Sequence, residues 1–137
     1  MDKIEDIIEV VLAVYPNTQA TYLFGSYGTA DEWPDSDVDI ALLLPTAAAK
    51  EAGSLLLGEL HLGLQSLLNK EVDLLNLRQV STVMQKEVVF GGRRIYCADE
   101  YATAEFEMLV LSFYQKLNEE RREILEAFRE SKRAYAV

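Results

Sequence analysis

Two apolar runs joined by a polar stretch, TYLFGSYGTADEWPDSDVDIALLL, constrain this chain more than any other feature. Tyr22, Leu23 and Phe24 lead into Gly25-Ser26, and Asp37-Val38-Asp39 opens the run Ile40, Ala41, Leu42, Leu43, Leu44. The pattern predicts a strand over residues 21–24, a tight turn, a short helix or loop, and a second strand over residues 37–44. Beyond its aspartates the second strand is apolar on both faces, which places it centrally between two layers. Side chains alternate along a strand, so Asp37 and Asp39 share a face. Two neighbouring carboxylates repel, and such a pair is tolerated in water or around a cation. A hard cation such as magnesium takes one or two carboxylates and completes its shell with waters and substrate phosphates.

The Gly-Ser turn supplies the other half of a phosphate site. Gly25 lacks a Cβ, so the chain can bend sharply and a phosphate can come close to the backbone. Ser26 offers a hydroxyl and stands where it can cap a short helix whose free amides attract anions. A phosphate-binding turn opposite a metal-binding carboxylate pair is what nucleotide chemistry needs. Each half alone is common; together on consecutive apolar strands they are specific.

The rest of the chain reads as cover for this sheet. Residues 1–15 carry Ile4, Ile7, Ile8, Val11 and Leu12 at helical spacing, and Pro16-Asn17 ends that helix. After Pro45, Thr46 is expected to cap a helix running to about residue 69, with Leu55, Leu56, Leu60, Leu64, Leu67 and Leu68 inward; Gly53, Gly58 and Gly63 weaken it. Residues 71–77 form a third strand in which Asp73 interrupts an apolar run, a costly position for a charge without a partner. Glu71 shares its face and is the substitute. Residues 80–90 form a helix closed by Gly91-Gly92, and residues 93–97 a last strand on which Arg93 and Arg94 point to opposite sides. Each is expected in a surface salt bridge, with reach toward a triphosphate as the alternative. Asp31, Glu32 and Asp35 belong to a solvated loop. Trp33 is expected to pack beneath that loop; stacking on a base or touching a partner is its other use. His61 is structural.

Residues 101–136 contain neither Pro nor Gly, and Phe106, Val110, Phe113, Leu117, Ile124, Phe128 and Tyr135 make a sustained helical stripe. At about 1.5 Å per residue the helix would reach roughly 50 Å, more than a small body can cover. Its densely charged second half, with Arg121, Arg122, Arg129, Lys132 and Arg133, is expected to project and find a partner, with a turn and a second helix folded back on the core as the alternative.

Composition narrows the function classes. The chain has 137 residues and a formal net charge of -10, and a protein that follows long nucleic acid through its phosphates normally shows a basic patch. A single nucleotide carried with its magnesium suits this balance, as does a basic protein partner. No apolar run approaches the roughly 20 residues that span a bilayer, and no signal peptide is visible. Cys97 is the only cysteine. A cytoplasmic, membrane-free protein is the expectation.

Gly25-Ser26 with Asp37 and Asp39, spaced G-S-x10-D-x-D, resembles the signature of the DNA polymerase β-like nucleotidyltransferases, and the short chain is similar to their minimal nucleotidyltransferase (MNT) group. The resemblance covers residues 21–97. It departs from many relatives in one place: where they carry an arginine soon after the Gly-Ser, this chain reads Tyr27-Gly28-Thr29-Ala30-Asp31. The resemblance implies an α/β fold, a small mixed sheet of about four strands flanked by helices, with a long C-terminal helix. Residues 1–100 would form the nucleotidyltransferase domain and residues 101–137 a partner-binding extension. It further implies that Asp37, Asp39 and Asp73 hold two Mg2+ ions, that Asp73 is also the catalytic base, and that Gly25 and Ser26 bind the triphosphate of ATP. AMP would pass to a hydroxyl, a tyrosine, of a HEPN-domain toxin held in a hetero-oligomer, with this chain acting as the antitoxin. Two other readings share the motif: adenylylation of a small molecule such as an aminoglycoside, and neutralisation by binding alone.

Overall fold

The computed structural model describes residues 3–34 and 36–135, with side chains described as far as residue 131. Asp35, the two N-terminal residues and the last two lie outside it, and with them the outer ends of the first and last expected helices. Helix α1 (Ile4–Val14) precedes strands β1 (Ala20–Phe24) and β2 (Val38–Leu43). Helices α2 (Thr46–Ala52) and α3 (Glu59–Leu68) lead to β3 (Val72–Asn76), a single 3-10 turn, α4 (Thr82–Gly91), β4 (Arg93–Cys97) and α5 (Glu100–Tyr135).

The four strands form one mixed sheet in the order β3-β2-β1-β4. β1 is antiparallel to both β2 and β4, whereas β2 and β3 are parallel and joined through α2 and α3. Strand alternation sorts the core into two layers. Leu23, Ile40, Leu42 and Leu74 pack with Ile7, Val11, Leu60 and Leu64 of α1 and α3. Tyr22, Ala41 and Leu43 pack on the opposite face with Val88 of α4 and Phe106 and Val110 of α5. β2 lies inside the sheet and is covered on both faces, as its apolar composition demands.

Several local expectations are corrected. Asp37 precedes β2 rather than opening it. The helix expected after Pro45 is two helices, because Gly53 turns into a left-handed conformation and the chain reaches Gly58 before α3 begins. Leu56 falls in that break and is exposed. Thr46 caps nothing: Pro45 holds the N-cap position without a side-chain bond. The carbonyls at the end of α2 are instead met by buried Asn76, whose Nδ2 donates to Ala49 at 2.8 Å and Gly53 at 2.9 Å. α4 starts at Thr82, two residues later than expected, with Ser81 accepting from the Met84 amide.

α5 is one helix of 36 residues. Phe106 and Val110 are buried, while Phe113, Ile124 and Phe128 of the same stripe are exposed. The first half therefore packs on the body, and from Asn118 to Ser131 every residue is exposed.

Candidate active site

The pairing register assembles the site. Phe24 at the end of β1 faces Asp39, and Asp39 is matched by Asp73 on parallel β3. Asp39, Ala41 and Leu43 alternate onto the sheet face that α4 and α5 cover. At Asp39 and Asp73 that cover has ended, so Asp73 is exposed and Asp39 half-buried. The expectation that Asp73 is a charge trapped among apolar neighbours is thereby corrected: its neighbours Val72 and Leu74 point into the other layer, where they are buried. Asp37, two residues before Asp39, is exposed beside it.

Gly25 stands next to this cluster with φ of +76°, a conformation that strongly favours glycine. A Cβ there would collide with the Asp39 carboxylate. Glycine is required by the neighbouring acid as well as by the turn.

Burial raises the pKa of Asp39 above the ordinary carboxylate range, and the negative charges of Asp73 and Asp37 add to the effect. Among the described residues no ion pair reaches any of the three acids. No three acidic, histidine or cysteine side chains among the described residues are gathered closely enough to enclose a metal by themselves. The neighbouring carboxylates of Asp37 and Asp39 fit magnesium of the kind held by one or two carboxylates and completed by phosphate and water. Glu71 is not matched to Asp39; it lines a cleft of about 430 Å³ with Asp37, Ser36, Gln65, Asn69 and Lys70.

The Gly-Ser turn is held from outside. Ser26 caps no helix; its carbonyl accepts from the Thr29 amide at 3.0 Å and from Thr29 Oγ1 at 2.6 Å. Tyr27 is buried in the core layer of α1 and α3 and anchors the loop. Arg93 donates from Nη2 to the Tyr27 carbonyl. Glu32 accepts the Gly28 amide at 3.0 Å and pairs with Lys70 at 2.8 Å, so it serves the loop rather than a metal. Arg94, on the opposite side of β4, meets Glu100 and Glu107 of α5 at 3.6 Å and 3.4 Å, the surface pairing expected of it. Trp33 does not pack beneath the loop: it is 68% exposed. His61 is structural, its ring bonded to the Leu57 amide at 2.9 Å and the Val72 carbonyl at 2.7 Å.

Sequence reasoning missed Tyr27, Lys70 and the loop-holding role of Arg93. Lys70 lies 38 residues from Glu32, and Arg93 lies 66 from Tyr27. Only the fold brings them together.

Comparison with known proteins identifies the family. Residues 5–101 match the family described as Polymerase beta, Nucleotidyltransferase. The protein adenylyltransferase MntA of Shewanella oneidensis is 35% identical over 120 residues, spanning 88% of this chain and 83% of MntA. A chain of a toxin-antitoxin crystal structure with AMP-PNP superposes with a TM-score of 0.72 at 32% identity, covering 92% of this chain and 98% of that one. A structure of tri-AMPylated Shewanella oneidensis HEPN toxin in complex with MNT antitoxin gives 0.66 at 33% identity, covering 90% and 93%. The matched span contains the turn and all three aspartates, and so the chain belongs to the polymerase beta nucleotidyltransferase family.

Proposed function

We propose that this protein is an antitoxin that transfers AMP from ATP to a tyrosine hydroxyl of a HEPN-domain ribonuclease toxin and thereby neutralises it. The observation that carries the reading is the register of Asp39 with Asp73 beside Gly25, in a chain 35% identical to a protein adenylyltransferase. Asp37 and Asp39, with Asp73 beside them, would hold two Mg2+ ions. Magnesium held there would supply positive charge against the phosphates.

The chain's own groups do the rest. Gly25 and Ser26 receive the triphosphate. Asp73 takes the proton of the acceptor hydroxyl as its oxygen bonds to the α-phosphorus. The bond from that phosphorus to the bridging oxygen breaks, and pyrophosphate leaves. Residues 1–100 carry this chemistry, and residues 101–137 grip the partner through the exposed part of α5. A net charge of -10 suits a basic partner surface. No helix among the described residues is long and apolar enough to cross a membrane, and a lone free cysteine suits the cytoplasm.

Intact mass spectrometry tests the proposal. The product of the neighbouring gene is incubated with this protein, ATP and magnesium. Gains in whole AMP units, abolished by the Asp37→Asn/Asp39→Asn double variant, are expected. Neutralisation that survives in the double variant, with no gain in mass, would replace catalysis by simple binding.

A further inference from the structure

Between Gly25 and Asp39 the chain has no lysine or arginine, yet its turn must receive a triphosphate if the proposed function holds. The structure supplies the missing cations from two distant elements, and both act on one peptide group. The carbonyl of the Tyr27–Gly28 peptide accepts from Arg93, and its N–H donates to Glu32. Glu32 is in turn held by Lys70, which also donates to the Trp33 carbonyl at 3.4 Å and lies 5.8 Å from the centre of the Tyr27 ring. Gly28 has φ of +74°, and a Cβ on it would stand 3.0 Å from Arg93 Nη2, so the guanidinium lies directly against the backbone.

The preceding peptide is fixed as well. The Ser26 carbonyl takes two bonds from Thr29. In a trans peptide the N–H points opposite to the C=O, so the Tyr27 amide is turned away from Thr29. Among the described residues neither that amide nor the Ser26 amide has a backbone partner. Two consecutive peptides are thus locked, and the donors left over directly follow Gly25, whose Cβ position meets the Asp39 carboxylate.

We propose that Arg93 and the Glu32–Lys70 pair are positioning residues for the triphosphate, acting through the Tyr27–Gly28 peptide. Donors fixed in advance bind an anion without the cost of ordering a loop. Lys70 and the Gly28 amide hold the Glu32 carboxyl below its ordinary range, so the clamp stays charged. This inference rests on the nucleotidyl-transfer reading.

Calorimetric titration with AMP-PNP and magnesium separates the two. Wild type should bind. Arg93→Ala and Glu32→Ala should each weaken binding about tenfold, roughly 1.4 kcal/mol, and Arg93→Lys should recover part of the loss. The Arg93→Ala/Glu32→Ala double variant should bind no more than about twofold worse than the weaker single variant, because both ends act on one peptide. Glu32 lies in an exposed loop, so its variant should keep the wild-type melting temperature and remain informative should Arg93→Ala not fold. Wild type binding while the single variants match it within twofold overturns the clamp alone. Losses that multiply in the double variant overturn the shared peptide. A wild type that does not bind overturns nucleotidyl transfer, and the clamp with it.

Discussion

Asp39 carries a charge that its surroundings resist. Burial and two neighbouring acids raise its pKa, so its ionised form is less stable in the folded chain than in the unfolded one. Asp39→Asn should therefore abolish AMP transfer yet raise the melting temperature at neutral pH. The sign with pH follows from linkage. Above the folded-state pKa wild type bears the full penalty; as pH falls through that value Asp39 takes up a proton, and the advantage of the asparagine variant shrinks. Thermal melts of both proteins between pH 4 and 8 check this, and a stability gap independent of pH would contradict it. Gly25→Ala is a test of space. The added methyl meets the Asp39 carboxylate, and the left-handed backbone costs about 1–2 kcal/mol for a residue with a Cβ. A fall in melting temperature of roughly 3–8 °C is expected, together with loss of nucleotide binding. The sequence identified this glycine as important for phosphate approach, but the collision with Asp39 depends on which strand lies alongside.

At the scale of elements, α5 does two different jobs along one stripe. Phe106 is 7% exposed and packs with Tyr22 and Val88, while Phe128 is 64% exposed. Phe106→Ala should cost about 3–4 kcal/mol in urea unfolding. Phe128→Ala should change stability by less than about 0.5 kcal/mol and instead weaken capture of the HEPN partner in a pull-down at matched concentrations. The periodicity of α5 was fully legible, since one helix with a continuous apolar stripe needs only local spacing. Which part of the stripe is core was not legible, because that depends on where the body ends. The break between α2 and α3 shows the opposite case. Gly53 and Gly58 were visible as weak points, but helix termination there also draws on the side chain of Asn76, 23 residues from Gly53.

For the whole molecule, the site sits where the α4 and α5 layer stops covering the sheet. One face thus supplies stability near Ala41 and Leu43 and solvent-accessible chemistry at half-buried Asp39 and exposed Asp73. The distal half of α5 adds no buried contact among its described residues. A chain ending at Leu117 should therefore melt within about 3 °C of the full protein and keep its affinity for AMP-PNP, while losing stable association with the HEPN partner on size-exclusion chromatography. Retained association would move the partner surface to the body, where Trp33, Phe90 and Tyr101 are among the exposed aromatic side chains.

The sequence by itself determined the alternation that makes β2 a covered central strand, the nearness of Asp37 and Asp39 to its start, the turn at Gly25-Ser26, and the helical stripe of α5. These follow from local rules: strand alternation, helical period and the conformational freedom of glycine. Tertiary structure alone decided that Asp73 lies level with Asp39, that Gly25 leaves room for a carboxylate, and that Arg93 and Lys70 hold the turn. Strand register, loop anchoring and ion pairs between distant residues are set by how the two core layers pack, and no local pattern in the chain encodes that packing.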